Sequence, residues 1–278
     1  MARHHLDTID PALRHVAWRD LVAMRPRDGL VECLHPIPWL AVSLTAAAFG
    51  IWPLAALASF LFFLTALRLN HEAIHHNLGF GPSGHRVVLH ALSAVMLGSN
   101  SSVAFNHLHH HSKVGTDDDI EGRCGQMTLW QVLCFGPRFP LETHLYGWRN
   151  GGPVLRRRMA IDLTLNLAVI GTALATLSPP LLYHIAAMVT AQCLTAFFAV
   201  WITHHGCDGA LIARTQRGRL LNLVSYNMFF HLEHHLFPAV PVSRLPLLAE
   251  RIDNAAPMLG AKMVVPVRLG FHAMKEVK

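Results

Sequence analysis

The stretch Cys33–Leu67, CLHPIPWLAVSLTAAAFGIWPLAALASFLFFLTAL, contains no aspartate, glutamate, lysine or arginine. A single straight helix over it would run to about 50 Å, well past a hydrocarbon core of about 30 Å, so it has to fold back. Gly50-Ile51-Trp52-Pro53 supplies the break and predicts spans over 37–51 and 53–70. A second charge-free stretch, Leu163–Cys207, is interrupted by Ser178-Pro179-Pro180 and predicts spans over 161–178 and 181–202. The expected fold is therefore all-α: one integral-membrane domain over residues 1–278, with four transmembrane helices arranged as two hairpins. Between them, Val87–Phe105 is apolar but broken by Gly98-Ser99-Asn100-Ser101-Ser102, and is expected to lie in or dip into the interface.

Composition agrees with a chain that uses the bilayer as solvent. Hydrophobic residues make up 52% and charged residues 14%, against about 25% charged in ordinary soluble domains. The net charge of +6 comes from basic residues flanking the apolar segments. It does not form the stripe of basic and aromatic residues that would bind nucleic acid. Both predicted hairpin tips lack lysine and arginine, while residues 123–160 carry Arg123, Arg138, Arg149 and Arg156-Arg157-Arg158 as a basic linker. The positive-inside rule then places both termini, and the polar segments between and after the hairpins, on the cytoplasmic side. Met1–Leu30 lacks the apolar core of a secretory signal. The five cysteines contain no C-x-x-C pair and read as ordinary thiols.

Histidine is in excess, 21 residues against 23 lysines and arginines, and it is clustered. Asn227-Met-Phe-Phe-His231-Leu-Glu233-His234-His235-Leu-Phe-Pro238 puts three imidazoles at i, i+3 and i+4 on one helix face, with Asn227 expected one turn below as a polar neighbour of the site. The pattern recurs as His107, His110 and His111, and as His71 and His75 in Asn70-His71-Glu72-Ala-Ile-His75-His76-Asn77. Imidazoles so spaced are ligands for iron, zinc, copper or nickel. The two-hairpin topology brings all three boxes to one face; a single crossing by either apolar stretch would separate them. Glu72, Asp117, Asp118, Asp119, Asp208 and Glu233 lie beside the boxes, and some are expected to accept the outer N–H of ligating imidazoles. His109 and His76 fall off the ligand faces. His4, His5, His15, His35, His85, His90, His144, His184 and His272 match no box and read as structural or exposed.

The combination H-x-x-x-H, H-x-x-H-H and H-x-x-H-H resembles the integral-membrane fatty acid desaturase superfamily, which includes related hydroxylases and ketolases. The resemblance extends from the first apolar stretch to about Pro241. It implies two iron ions held on the cytoplasmic side by His71, His75, His107, His110, His111, His231, His234 and His235. O2 would be the co-substrate, a lipid or acyl chain the substrate, and a separate ferredoxin or cytochrome-type protein the electron donor. Related enzymes take a further ligand from the end of the last span, where Thr203-His204-His205-Gly206 stands here, leaving His204 and His205 as alternatives.

Two competitors belong to other classes. His71-Glu72-x-x-His75 is also a zinc metalloprotease signature, with Asp208 as a conceivable third ligand, but that reading leaves the other two boxes without a role. A haem or metal transporter would carry its histidines inside the spans, where only His184 lies. Within the resembled superfamily, His231 in place of glutamine argues against the front-end desaturases, and no His-Pro-Gly-Gly segment marks a fused haem domain. The short chain keeps a carotenoid ketolase or hydroxylase, or a desaturase of a smaller amphiphile, as the alternative.

Overall fold

The structure is a computed structural model that describes residues 10–207, 211–261 and 263–264. His4, His5, Asp208, Pro266 and His272 lie outside the described residues. No strand occurs among the described residues; the only β-type pairing there is an isolated bridge between Thr215 and Met263. Among the described residues four helices are long and apolar enough to cross a membrane: α1 (Pro26–Ala48), α2 (Trp52–Ile74), α7 (Gly152–Thr176) and α8 (Pro179–His204). Between them run α3 (Pro82–Met96), α4 (Asn100–Lys113), α5 (Leu129–Phe135) and α6 (Phe139–Asn150); α9 (Arg219–Val224), α10 (His231–Leu236) and α11 (Leu245–Ala255) follow.

Proline opens α2, α3, α7 and α8, where its missing N–H costs nothing and its fixed φ favours the helix. The break between α1 and α2 is made by Gly50 at φ +71°, a conformation glycine adopts without steric penalty. Leu177 at φ +48° ends α7 just before Ser178-Pro179 starts α8. Both breaks fall where the sequence placed them.

The spans are longer than the charge-free criterion predicted, at 23 to 26 residues each. Three charged groups within them, Glu32, Arg68 and Asp162, are buried and held by partners on other helices. Glu32 of α1 and Arg68 of α2 are 6% and 5% exposed and form a forked pair, with Arg68 Nε 3.0 Å from Oε2 and Nη2 2.6 Å from Oε1. Asp162 of α7 is fully buried; it accepts from His90 Nδ1, from Ser99 Oγ at 2.7 Å and from the Ser101 backbone N–H at 3.0 Å. A negative group there also complements the positive end of α4.

That contact fixes the predicted interfacial segment. α3 and α4 bend by 113° at Leu97–Ser99, with Leu97 at φ +55°. Ser99 caps α4 through its side chain and donates its backbone N–H to His144 Nε2 of α6 at 2.8 Å. The basic segment expected as a linker is instead folded into α5, α6 and the start of α7.

A separate apolar core lies beyond the spans. Leu232 and Leu236 of α10 pack with Leu13, Val16, Leu245, Leu248 and Ile252, so the segment before α1 and the C-terminal helices together bury the third box.

The Glu32–Arg68 pair supports a stability test. Arg68→Met leaves a carboxylate buried without its cation and is expected to cost about 3–5 kcal/mol, whereas the double variant Glu32→Leu/Arg68→Met recovers much of that loss. Thermal unfolding in detergent measures both; equal losses in single and double variants would contradict the pairing.

Candidate metal centre

Each histidine box sits where a helix ends or is held by a second contact. His71 lies in the last turn of α2 and His75 caps it. Beyond the cap, Asn77 N–H donates to Glu72 O at 2.8 Å and His76 N–H to Ala73 O at 3.3 Å, the paired bonds of a Schellman stop. His76 takes the left-handed position at φ +60° and its ring packs 4.6 Å from His85, away from the other box residues. The same device ends α9: Asn227 N–H donates to Asn222 O at 2.7 Å and Tyr226 N–H to Leu223 O at 3.2 Å, with φ +52° at Tyr226 and +64° at Asn227. The helix carrying the third box therefore begins at His231. Asn227 belongs to the preceding turn and does not stand one turn below His231, a correction to the helical spacing read from sequence.

That turn is tied to the first box. Arg68, three residues before His71, donates from Nη1 to Tyr226 O at 2.6 Å, and Trp39 Nε1 donates to Tyr226 Oη at 2.8 Å.

The boxes interleave into two groups. His71, His75, His107, His111 and His234 bring ligand nitrogens within 4.8 Å of one another, as do His110, His204 and His235. In the first group His71 Nε2 is 2.8 Å and His111 Nε2 2.9 Å from His234 Nε2, and His107 Nε2 is 3.2 Å from His111 Nε2. In the second, His204 Nε2 lies 3.2 Å from His110 Nε2 and 2.9 Å from His231 Nε2, and His231 Nε2 lies 3.1 Å from His235 Nε2. The rings of His111 and His235 stack at 4.3 Å and join the groups.

Nitrogens converging on nitrogens cannot all satisfy one another, since a neutral imidazole has one N–H to give and His107, His110 and His204 give theirs outward. His75 Nε2 is buried with no hydrogen-bond partner at all. Burial first, and then the neighbouring imidazoles, hold His231, His234 and His235 well below the usual histidine range, so they remain in the neutral form that binds metal. The donor set thus fits two imidazole-bound cations.

Outer contacts fix the histidine rings. His110 Nδ1 donates to Asp119 Oδ2 at 2.7 Å, His107 Nδ1 to Glu121 Oε1 at 3.1 Å, and His204 Nδ1 to Ile212 O at 2.9 Å, each leaving Nε2 turned inward. Asp117 and Asp118 are exposed. Glu233 faces away from the histidines: it accepts from Thr215 Oγ1 at 2.7 Å and Arg217 Nη2 at 2.6 Å, and Arg217 also grips Asp253. Glu72 is fully buried, accepts from Val242 N–H at 3.2 Å and has Oε1 3.7 Å from His71 Nδ1. His109 turns outward to Asp118 O and Tyr146 Oη.

His204 and His205 separate for a structural reason. Ala196–Trp201 is a π-helical segment within α8, and the helix ends at His204. His205 is already extended; its Nδ1 meets Gly125 O at 3.2 Å and its ring stacks on Trp201 at 4.3 Å. Sequence reasoning missed Glu121, Thr215, Arg217 and Asp253. Only Glu121 carried a signal, as an acid two residues after the aspartate run.

An apolar cavity of about 580 Å³ leads to the histidines. It runs along α2 from Ala56 and Phe60 and along α8 from Tyr183 and Thr190, and ends against His71, His107 and His231.

Removal of His204 should release bound metal, whereas His205→Ala should keep the wild-type metal content. Elemental analysis of the purified variants decides this; equal losses would contradict the placement of His204.

The range that matches a known family contains all three boxes. The family description "Fatty acid desaturase" matches residues 44–266. A sphingolipid delta(4)-desaturase of Drosophila melanogaster is 32% identical over 197 residues, covering 65% of this chain and 60% of that protein. A beta-carotene ketolase of a Paracoccus strain is 27% identical over 238 residues, covering 78% of this chain and 90% of that protein. With four membrane-length apolar helices and its histidine clusters, the chain belongs to the fatty acid desaturase family.

Proposed function

We propose that this protein is an O2-dependent membrane oxidoreductase with two iron ions that introduces a double bond into a long-chain acyl substrate. The observation that carries the reading is the apolar cavity ending against His71 and His107 of the first group and against His231, whose Nε2 lies 2.9 Å from His204 and 3.1 Å from His235 of the second. A hydrocarbon chain laid in it would bring an unactivated methylene pair to the metal centre while its remaining length stays out of water.

The first iron would be held by His71, His75, His107, His111 and His234, and the second by His110, His204, His235 and His231. Iron so held supplies O2 activation and hydrogen removal from an unactivated carbon, with two electrons from an external ferredoxin or cytochrome-type donor. The chain's own residues orient and protect. Asp119 and Glu121 hold His110 and His107 with Nε2 inward, and the Arg217–Glu233 clamp holds α10 in register. Phe63, Leu67 and Ile74 keep the approach to the metals apolar, which limits side reactions with water.

The reading also proposes the two-hairpin arrangement, with the boxes and both termini on the cytoplasmic side. It rests on the basic residues of 123–160 and on the three boxes meeting on one side of the spans. The zinc protease reading finds no support, because His71 and His75 join three histidines of other boxes and Glu72 is engaged by Val242 N–H.

One observation favours a second reading. The match to the beta-carotene ketolase covers 90% of that protein, against 60% of the sphingolipid desaturase. A carotenoid ketolase or hydroxylase activity would use the same metals and cavity to oxygenate a ring methylene.

Expression in a host of known lipid profile that also makes β-carotene, followed by lipid and carotenoid analysis, separates them. A new unsaturated acyl species, lost in His234→Ala, is the expected result. An oxygenated carotenoid with unchanged acyl chains would move the assignment to the second reading.

A further inference from the structure

The cavity is not walled in on every side. Along α2, Ala56 and Phe60 line it and are also exposed on the outer face of that span; along α8 the same holds for Ala186, Thr190 and Phe198. The seam between α2 and α8 is therefore open toward whatever surrounds the spans. On this exposed side, above the Ser59–Tyr183 level, the two helices meet in the edge-on pair Phe60–Phe198, with ring centroids 5.7 Å apart and the two residues 45% and 39% exposed; Phe62 and His184 meet separately, at 5.8 Å. Below the bar the two helices are held by Tyr183 Oη on Ser59 Oγ at 3.0 Å, and Ser59 is bonded in turn to Ser43 of α1 at 2.7 Å. The floor is thus pinned while the bar rests on ring contact alone.

At the histidine end, Leu221, Val224 and Ser225 of α9 and the turn after it form the cavity roof. The outer face of α9 presents Leu220 and Leu223, which are 60% and 73% exposed, beside the spans. Apolar side chains so exposed on a short helix over the cavity suit a lipid surface better than water.

We propose that substrate enters sideways from the bilayer through the α2–α8 seam, with Phe60 and Phe198 as its gate, and that the substrate is a bilayer-resident lipid rather than a water-soluble thioester. The inference rests on the cavity being the substrate site of the activity proposed above. Entry from the bilayer avoids carrying a long chain through water, a transfer that is unfavourable for every methylene exposed. Rotation of either ring about its Cα–Cβ bond opens the bar without moving a helix, because neither ring is fully enclosed. The π-helical segment that contains Phe198 also lacks the regular hydrogen bonding of the rest of α8 and can take up such a shift locally.

The test locks the seam. The double variant Phe60→Cys/Phe198→Cys, in vesicles, is joined by a bis-maleimide carrying an internal disulfide; the same reagent on each single variant accounts for the native cysteines. Two readouts are taken. A diazirine-bearing long-chain lipid in the vesicle is photolysed, and labelling of the cavity-facing α8 peptide is measured by mass spectrometry, which needs no turnover. Turnover of vesicle lipid is measured in parallel. Crosslinking is expected to lower both by about tenfold or more, and reduction of the linker to restore both. Labelling and turnover that persist in the locked protein would overturn lateral entry. Labelling that falls on locking in a protein with no oxidative turnover of any lipid would instead retain the entry route and overturn the proposed activity. Turnover of a soluble thioester, with no labelling from the vesicle before locking, would assign the cavity a mouth on the aqueous side and overturn the proposal.

Discussion

The constraint on which the structure depends is the convergence of buried imidazole nitrogens that cannot hydrogen-bond one another to completion. His71, His107, His111 and His234 bring Nε2 atoms to within 2.8–3.2 Å along a chain of contacts, and His75 Nε2 finds no partner. Left alone, such an arrangement costs free energy at each unsatisfied group, about 1–3 kcal/mol. The surroundings over-determine it, and the same lone pairs are what a cation of suitable chemistry would take as ligands. The features that look unusual in this chain answer to that need.

Charges inside the apolar spans are the clearest example. A carboxylate and a guanidinium at the depth of Glu32 and Arg68 are expensive in hydrocarbon, yet the pair links α1 to α2 and reaches Tyr226 O in the turn that introduces the third box. Asp162 likewise joins α7 to the N-terminus of α4, which carries the second box. In both cases a helix long and apolar enough to cross a membrane is used to set the height and rotation of a helix or turn that presents histidines. The two left-handed stops, at His76 and at Tyr226–Asn227, do the remaining work by turning the chain sharply beside its ligands.

Much of this was legible in the sequence. The absence of charge over Cys33–Leu67 and Leu163–Cys207, each with a glycine or proline break, read out four helices, and the His spacing read out the boxes. What stayed hidden was whatever depended on pairing at a distance. Glu32 lies outside the predicted span 37–51 and proves to lie within the observed one, while Arg68 and Asp162 lie inside predicted spans with nothing in the sequence to name their partners, which come from other helices. Asn227 was assigned helical spacing from His231, since a Schellman stop built on tyrosine leaves no glycine to announce it. The choice between His204 and His205 turned on a π-helical segment at Ala196–Trp201 that alters the phase of α8, and nothing in Ala-Phe-Phe-Ala-Val-Trp marks that change.

The central claim is that the interleaved boxes make two separate imidazole-bound metal sites. X-ray absorption at the metal edge, with elemental stoichiometry on the same purified sample, tests it most directly. The account predicts two irons per chain, each with a shell of imidazole nitrogens. One metal per chain, or a shell dominated by sulfur, would contradict it.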